Sequence, residues 1–516
     1  MKKQPSTSKS FAVLSAVTII EKLLSFVYQA MIAALIGANA ISDAFFTSTE
    51  FFLLIDTTLV SAVVIALLNL YTKRLTDDGT EAADALLTDV IRVMFPFSVL
   101  LAGGIFAGAP LLSYVLGPGY SEEARSILVA DLRYMAVITM FYTVTAICLV
   151  ILRQEKRFLI VSLKSLFISV SGILFVTLSH VLSYPKSHVL CFGYVLSSFL
   201  YMATGCFSVR RHRVFRPGLP VWNDSMKSLL RMAAPVIVGT GIFNLSMMID
   251  KIISSTIGEG SVTCLSYAYM LYYFVETLFI TNLSTILLSD FNELSARGER
   301  DAMAKKIAAV CSVMVLLLIP ITIISVIYSK DLVRIVFLRG SFREEDVQRV
   351  SGLLAVYAIG FVPGVISNIY MHAHYAEGKT VITMRHSLIS IGVNIGSSIL
   401  LARLIGLQGI AIGTVLSILT SILLYKRTMR DLLPEYKSPF TLPKLLRLAL
   451  SAAVCTGLTL GLHRVLPFPL LSFVLTSLLC FAVFIGLMVL LKDPGTRTAL
   501  AQAADIVKAK LGKKTS

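Results

Sequence analysis

Long apolar stretches separated by short polar segments run along almost the whole chain. A helix needs about 20 apolar residues to cross the hydrocarbon core of a bilayer, and fourteen stretches approach or exceed this length. They cover residues 11–36, 43–71, 86–108, 132–152, 158–182, 187–209, 228–256, 261–290, 304–328, 350–374, 380–402, 406–425, 444–463 and 467–491. Their apolar residues are continuous rather than alternating, which excludes a membrane β-barrel. The pattern therefore predicts an all-α, polytopic membrane protein with about 14 transmembrane helices.

The first two apolar stretches carry polar side chains along one helix face. In the first, the polar positions recur at steps of three and four and include Lys22 and Gln29; in the second they include Asp43 and Glu50, with Asp56 off the stripe. At about 100° per residue such positions share a face. An ionisable group in hydrocarbon costs roughly 2.5–3.5 kcal/mol on insertion scales. We therefore expect these side chains either to pair and hold helices together or to line a substrate path.

Composition excludes a soluble globular protein. Only 15% of the 516 residues are charged, and the mean hydropathy is +0.81, far above the range of soluble domains. The seven cysteines all fall in apolar stretches and form no CxxC pair. Neither a disulfide framework nor a zinc site is predicted, and we expect no cofactor.

The net charge of +16 is placed asymmetrically rather than in a nucleic-acid-binding patch. Lysine and arginine concentrate in the N-terminus, in alternate loops such as 210–227 and the loop that begins at Arg153, and in the tail. The positive-inside rule then puts both termini in the cytoplasm. The tail, 492–516, is expected to form a basic amphipathic helix on the anionic inner leaflet.

An internal repeat divides the chain. Displacing the sequence by 221 residues brings Ile32–Gly37 onto Ile253–Gly258, and the repeats begin six spans apart. An even number of spans gives two lobes of the same orientation, related by an axis along the membrane normal, with a central cavity and alternating access. The predicted organisation is an N-terminal lobe (1–209), a basic cytoplasmic linker (210–227), a C-terminal lobe (228–426), two further spans (443–491) and the tail.

The second lobe has intramembrane charges of its own. Asp250 and Lys251 lie at the outer end of the seventh span, and Glu276 lies in the eighth. Adjacent residues on a helix point about 100° apart, so the first two need not pair with each other. An interfacial pair that extends to the membrane surface remains the alternative.

Four short strings, in order along residues 10–430, carry a family resemblance. They are Gly37-Ala38 with Ser42-Asp43-Ala44-Phe45-Phe46; Ile249–Ser255 with Gly258–Val262 and Tyr267-Ala268; Val336–Phe342; and Gly406–Ala411. Together they resemble the MurJ/MviN family, lipid II flippases of the MOP transporter superfamily. The resemblance implies a two-lobe transporter whose cationic cavity takes a diphosphate-sugar headgroup. It also implies a groove, shaped by helices thirteen and fourteen, for a polyprenyl tail.

The chain departs from the family at its basic positions. Lys22 keeps the first, whereas Tyr28, Asp56 and Met270 occupy three others. A diphosphate favours Arg or Lys partners, and few of these remain here. Tyrosines are therefore expected to add sugar-stacking and hydroxyl contacts to the headgroup. Interfacial packing of the tyrosines is the alternative. The candidate substrate-binding residues are Lys22, Tyr28, Gln29, Asp43, Glu50, Asp56, Lys251, Tyr269 and Tyr273, with Lys164 a further cation.

Some members of the family resemble sodium-coupled carriers. At the corresponding positions this chain has Asp250, Asn394 and Thr414, with Ser398 in place of a second acid. One carboxylate with neutral oxygens can bind a monovalent cation. The chain has no GxxxxGK[ST] motif for ATP, so Na⁺ or H⁺ is the expected coupling ion, alongside the membrane potential or the substrate gradient.

The sequence predicts a transporter rather than an enzyme. The leading hypothesis is a flippase that moves a polyprenyl-diphosphate-linked glycan, lipid II first, across a bacterial cell membrane by alternating access. The alternatives are a flippase for another lipid-linked oligosaccharide of exopolysaccharide or O-antigen type, a MATE-like multidrug exporter, a membrane glycosyltransferase or ligase, and a scaffold without transport. We expect a monomer whose partners are the lipid-linked glycan, the bilayer and cell-wall synthesis enzymes, without nucleic acid.

Overall fold

Helices make up the regular secondary structure of the described chain. A computed structural model describes residues 7–181, 186–212, 214–216, 218–465, 469–493 and 495–496, and these contain no strand. The all-α prediction is confirmed. The predicted tail helix lies outside the described residues, apart from 492, 493, 495 and 496, and stays a prediction.

The chain divides into two compact units. The first comprises Met1–Cys264 with Phe337–Asp346, and the second comprises Leu265–Val336 with Val347–Ser516. The helices of the first are α1 (Thr7–Leu35), α2 (Ala40–Ile55), α3 (Ser61–Asp77), α4 (Gly79–Leu116), α5 (Glu122–Met135), α6 (Ile138–Gln154), α7 (Phe158–Ser162), α8 (Lys164–Val181), α9 (Lys186–Ser208) and α10 (Asp224–Ser255). A π-helical turn, Asp56–Val60, joins α2 to α3.

The second unit begins within the next helix. Its helices are α11 (Ser261–Ala296), whose first residues belong to the first unit, α12 (Arg300–Ile327), α13 (Ser329–Phe337), α14 (Glu344–Ile359), α15 (Phe361–Ala376), α16 (Thr380–Ile405), α17 (Leu407–Leu432), α18 (Leu442–Val465) and α19 (Pro469–Leu490). The segment 337–346 returns to the first unit.

Eleven helices of the described residues are long and apolar enough to cross a membrane. They become twelve if α14 and α15, which meet at 44°, form one bent span. The predicted spans 228–256 and 261–290 fall on α10 and α11, each of which contains side chains outside the described set. The count of fourteen is therefore not confirmed and stays a prediction.

The predicted lobes rest on an internal repeat rather than on contacts, and they also stay a prediction. By contacts, α10 belongs to the first unit, where it packs on α2, α3 and α4. Asn223 caps its N-terminus by accepting a hydrogen bond from the Met226 amide at 3.0 Å. A buried core that includes Leu67 of α3, Leu87 of α4, Ile147 of α6 and Leu229 of α10 holds these helices together.

Candidate functional site

Four loops of the first unit meet at one place, which we call the four-loop junction. Its segments are 36–40, 117–120, 256–263 and 337–342. The Ser341 amide donates to the Ala34 carbonyl at 2.7 Å. Gly340 has a φ of +57°, and a Cβ there would lie 2.0 Å from the Ala34 oxygen. Three of the four strings that carry the family resemblance contribute to this junction. Close approach of the backbones explains why these strings contain glycines such as Gly37 and Gly340.

Asp43 occupies the centre of the four-loop junction. Its carboxylate accepts hydrogen bonds from the Gly260 amide at 2.7 Å, the Thr263 amide at 2.8 Å and the Thr263 hydroxyl at 2.6 Å. Because α11 begins at Ser261, the carboxylate of α2 caps the N-terminus of another helix, where the helix dipole favours a negative charge. Asp43 is 1% exposed, so its charge is satisfied inside the protein.

Tyr120 fastens the same junction to α2. Its hydroxyl donates to the Asp43 carbonyl at 3.0 Å and lies 2.5 Å from the Thr47 hydroxyl. Burial, followed by the nearby Asp43 charge, raises the pKa of this hydroxyl well above its usual range. Tyr120 therefore stays protonated and available as a donor.

Glu50 and Lys251 form an ion pair between α2 and α10. The Lys251 ammonium lies 2.8 Å from the Glu50 carboxylate, and neither side chain is more than one-fifth exposed. The same ammonium donates to the Phe46 carbonyl at 3.2 Å. Lys251 thus pairs across about 200 residues of sequence, while its neighbour Asp250 is itself buried.

Asp56 pairs with Lys164 where the π-helical turn begins. The pair joins the Asp56–Val60 turn to the start of α8. Lys164 also lies 5.0 Å from the centre of the Tyr142 ring. The Thr58 hydroxyl accepts from the Asn244 amide of α10 at 3.3 Å. A single π-turn inside a long helix often marks a functional position, because it re-aims side chains.

A cavity of about 150 Å³, lined by charged, polar and aliphatic side chains, adjoins the pair of Asp56 and Lys164. Asp56, Lys164 and Arg153 line it, together with Ser197 and Tyr201 among other residues. One carboxylate and two cations give the lining a formal charge of +1, which favours an anionic group. Sequence reasoning placed Arg153 in a cytoplasmic loop; the structure keeps it in the last turn of α6.

The three candidates on α1 differ in their surroundings. Lys22 is partly buried and forms no ion pair with a described residue; Glu21 beside it points about 100° away on the helix. Tyr28 is buried, and its ring lies 2.4 Å from where a Cβ on Gly172 of α8 would stand. The Gln29 side-chain oxygen is buried and has no hydrogen-bond partner within the described chain.

An aromatic wall stands in the second unit. It consists of Tyr269, Tyr272 and Tyr273 of α11, Tyr357 of α14 and Phe361 of α15. Tyr269 and Tyr273 are stacked with ring centres 5.8 Å apart, and Tyr272 stacks on Phe361 at 5.3 Å. Tyr273 is 49% exposed, whereas Tyr272 is buried. The predicted pair Tyr269 and Tyr273 thus lies together on one helix face.

Glu276 lies one turn beyond the aromatic wall. It is partly buried, and Tyr272 lies one helical turn before it on α11. No described lysine, arginine or histidine forms an ion pair with it. In this it differs from Glu50 and Asp56, whose charges are matched by lysines.

The ion-coupling candidates fall in both units. Asp250 belongs to the first. In the second, the Asn394 side-chain amide donates to the Thr414 hydroxyl at 3.3 Å. The Ser398 hydroxyl is buried and has no hydrogen-bond partner among the residues the structure describes. The structure therefore places Asn394 and Thr414 together, and the sodium site stays a prediction.

An apolar groove of about 510 Å³ runs along the second unit. Helices α12, α15, α17 and α18 line it with mainly aliphatic side chains, and Lys426, Tyr370 and Thr322 add polar atoms. The resemblance implied a groove shaped by the thirteenth and fourteenth spans. Of these two, only α18 is represented in the lining.

Comparison with solved structures first shows the fold. A lipid II flippase MurJ in an inward closed conformation has a TM-score of 0.78 at 18% identity, covering 93% of this chain and 99% of that one. An inward-facing multidrug-resistance MATE transporter of the MOP superfamily has a TM-score of 0.65 at 13% identity, covering 80% and 95%. The fold of this chain is therefore similar to the folds of these two solved structures.

Sequence comparison then gives the family. The family model for the lipid II flippase MurJ matches residues 32–479, so the chain belongs to the MurJ lipid II flippase family, as predicted. Relatives described as probable lipid II flippase MurJ include one from Rhizobium tropici, 24% identical over 79% of this chain and 78% of the relative. Another, from Vibrio cholerae, is 24% identical over 87% and 88%. The family is one of transporters rather than enzymes.

Proposed function

We propose that the chain moves a polyprenyl-diphosphate-linked glycan from the inner to the outer leaflet by alternating access, with lipid II as the first cargo to test. Family membership over residues 32–479 supports this proposal. The observation that carries it concerns the intramembrane lysines of the first unit: Lys164 and Lys251 are paired with carboxylates, whereas Lys22 has no carboxylate partner within the described chain.

Lys22 is the lysine best suited to bind a diphosphate. Lys251 and Lys164 are already matched by Glu50 and Asp56. Lys22 lies in an apolar helix and has no carboxylate partner within the described chain. A lone ammonium in hydrocarbon is unfavourable by roughly 2.5–3.5 kcal/mol on insertion scales, and a phosphate would supply its counter-charge.

The cavity at Asp56 and Lys164 offers a second place for anionic groups. Its lining has a formal charge of +1, and its volume of about 150 Å³ exceeds that of a phosphate group. A flipped headgroup carries about two negative charges. We infer that Arg153, the member of this lining without a carboxylate partner among the described residues, is the arginine that contacts it.

The four-loop junction suits a reversible closure. On the predicted topology it lies at the outer end of the first unit. Asp43 is held there by hydrogen bonds to the start of α11. Alternating access requires contacts that form in one state and break in another, and we infer that Asp43 acts in this closure rather than on the substrate.

The apolar groove of the second unit suits the polyprenyl chain. Its lining is mainly aliphatic, and its volume of about 510 Å³ accommodates several isoprene units. Lys426 lies in the same lining. We infer that α12, α15, α17 and α18 contact the tail while the charged residues of the first unit contact the headgroup.

Another lipid-linked glycan is the second candidate cargo. Met270 stands where the family resemblance places an arginine, beside Tyr269. A cavity with fewer cations and more tyrosines favours a headgroup recognised through sugar stacking and hydroxyl contacts. Exopolysaccharide and O-antigen precursors share the polyprenyl-diphosphate chemistry.

Coupling, location and partners complete the proposal. We propose Na⁺ or H⁺ as the coupling ion, with Asp250, Asn394, Ser398 and Thr414 as candidate ligands. The chain is a membrane protein. We further propose that it is a monomer in the bacterial inner membrane, with both termini in the cytoplasm, and that it works beside cell-wall synthesis enzymes.

Complementation tests the cargo. The full chain is expressed in a bacterium depleted of its own lipid II flippase, and growth is followed with membrane levels checked by immunoblot. We expect rescue by the wild type and by Lys22→Arg, and none by Lys22→Ala. Lys73→Ala, at an exposed lysine of α3, is the matched control and should rescue. A folded wild-type protein that gives no rescue would exclude lipid II and leave the second cargo.

A further inference from the structure

We propose that the aromatic wall and Glu276 form a recognition site for an alkylammonium group. The inference rests on the proposed function for the origin of this group, because it adds a cationic amine to the features that the cargo headgroup presents. The site itself lies wholly within the second unit.

The geometry offers a ring face next to a carboxylate. Tyr269, Tyr273 and Glu276 follow one another at steps of four and three, so they share one face of α11. The stack of Tyr269 on Tyr273 leaves no space between the two rings, at 5.8 Å between centres. Tyr273 is nevertheless 49% exposed. The outer face of Tyr273 is therefore open to a ligand beside Glu276.

The remaining aromatic rings hold this arrangement in place. Tyr272 stacks on Phe361 with an interplanar angle of 1° and lies 5.3 Å from the Tyr357 ring. Its hydroxyl lies 3.8 Å from where a Cβ on Gly364 would stand. Two neighbouring helices, α14 and α15, thus fix the ring that lies one helical turn before Glu276.

The charge of Glu276 identifies the ligand. No described cation pairs with it, although an intramembrane carboxylate without a partner is unfavourable. A diphosphate would be repelled by this charge. A neutral sugar would stack on tyrosine without needing a carboxylate. An ammonium group satisfies both features, because tyrosine faces attract cations within about 6 Å of the ring centre and Glu276 supplies the counter-charge.

Two sources could supply this chemistry. One is an amino group on the headgroup of the lipid-linked glycan, either on a peptide side chain or on an unacetylated amino sugar. The other is a free, soluble amine, which would point to export of small cations. Binding and transport measurements separate the two.

The binding test uses choline and its uncharged isostere, 3,3-dimethylbutan-1-ol, with the purified full-length protein in nanodiscs. We expect saturable choline binding by calorimetry, with the isostere at least tenfold weaker. Glu276→Gln and Tyr273→Leu should each weaken choline binding at least tenfold. Glu293→Gln, on an exposed glutamate of the same helix, should leave it unchanged. Equal affinity for choline and the isostere, or undiminished binding by Glu276→Gln in a protein that unfolds at the wild-type temperature, would overturn the site.

The transport test uses vesicles that contain the wild type or Glu276→Gln. The cargo is lipid II with its peptide amine either free or acetylated. We expect acetylation to slow movement at least fivefold in the wild type and to have no effect in Glu276→Gln. Equal rates for both cargoes, without choline movement, would overturn the amine requirement while leaving the flippase function intact.

Two other outcomes would distinguish failure of the amine site at Glu276 from failure of lipid II transport. Equal rates for both cargoes together with Glu276-dependent choline movement would retain the site and assign it to soluble amines. If neither cargo moves, the lipid II function fails, and Glu276-dependent choline binding still decides whether the site exists.

Discussion

The two units differ in the hydrogen-bond and ion-pair partners of their intramembrane carboxylates. In the first unit three of them have a described partner: Asp43 at the start of α11, Glu50 with Lys251, and Asp56 with Lys164. In the second unit Glu276 adjoins a wall of tyrosines and has no cationic partner within the described chain. Removing a charge from water is expensive unless it is paired and hydrogen-bonded. The matched carboxylates therefore hold helices together, and the unmatched one is a binding group.

The intramembrane lysines differ in the same way, and this difference ranks their capacity to bind an anion. A lysine that is already neutralised by a nearby carboxylate contributes little to binding an anion, because the carboxylate repels that anion as well. Lys251 and Lys164 are in this position, whereas Lys22 is not. The matched pairs can be broken to test their structural role, and the unmatched groups can be removed to test their binding role.

Breaking the pair between α2 and α10 should have the largest effect on stability. Lys251→Met leaves Glu50 buried without a partner, which we expect to cost about 3–5 kcal/mol of unfolding free energy. The double variant Glu50→Leu with Lys251→Met should recover most of this loss, because it removes both charges. The measurement is thermal unfolding of the detergent-solubilised protein, analysed as a double-mutant cycle. Additive single effects would contradict the pairing.

Removing the cap on α11 should have the next largest effect. Asp43→Ala deletes three hydrogen bonds to a charged acceptor and leaves buried donors unsatisfied, at a cost of about 2–4 kcal/mol. The loss should appear as a lower unfolding temperature, with the exposed Asp77→Ala as control. If Asp43→Ala unfolds at the same temperature as the control, the carboxylate does not fasten the four-loop junction.

Removing the unmatched carboxylate of Glu276 should have little effect on the free energy of unfolding. Glu276→Gln takes away a charge with no cationic partner in the described chain, so we expect unfolding free energy to stay within about 1 kcal/mol of wild type or to rise. The measurement is the same thermal unfolding. A loss as large as that of Lys251→Met would show that Glu276 has a structural partner and would end the contrast between the units.

The smallest effect concerns pH and lies outside the membrane spans. His212 sits between Asp84, at 3.0 Å, and Glu155, at 3.2 Å. Burial alone would lower its pKa, but the hydrogen bonds and charges of the two carboxylates outweigh burial and raise the pKa above its ordinary value. The stabilisation is therefore fully present below about pH 6.5 and is lost as the pH rises through the raised value.

His212→Gln should remove this pH dependence. We expect the variant to be less stable than wild type by about 0.5–1 kcal/mol at low pH, as for partly exposed ion pairs, and to match it at high pH. The measurement is the difference in unfolding temperature between the two proteins from pH 5 to pH 9. A constant difference across this range would mean that His212 contributes by packing alone.

Hydropathy and charge patterning were sufficient for the class of fold. The apolar stretches correspond to long helices, and the polar side chains of the second stretch drew attention to Asp43, Glu50 and Asp56. The partners of these residues could not be read from one sequence. Glu50 pairs with Lys251 and Asp43 with Thr263, each about 200 residues away, and helical periodicity has no information on such distant contacts.

Other features were missed for local reasons. The π-helical turn at Asp56–Val60 interrupts an otherwise regular apolar stretch and has no glycine or proline to signal it. Arg153 was counted with the cytoplasmic loops because it ends an apolar run, yet it lines the cavity beside Lys164. Asp43 was grouped with substrate-lining residues because its helix face is polar. Its role as a cap depends on where α11 begins.

Movement of lipid II across reconstituted vesicles tests the central claim most directly. Wild type, Lys22→Ala, Lys22→Arg and the control Lys73→Ala are compared at equal protein density, with flipped lipid II detected by an enzyme confined to one side. We predict that wild type, Lys22→Arg and Lys73→Ala move lipid II and that Lys22→Ala is slower by at least a hundredfold. Wild-type rates in Lys22→Ala would contradict a phosphate-binding role for Lys22. No movement by any of these folded proteins would contradict lipid II as the cargo.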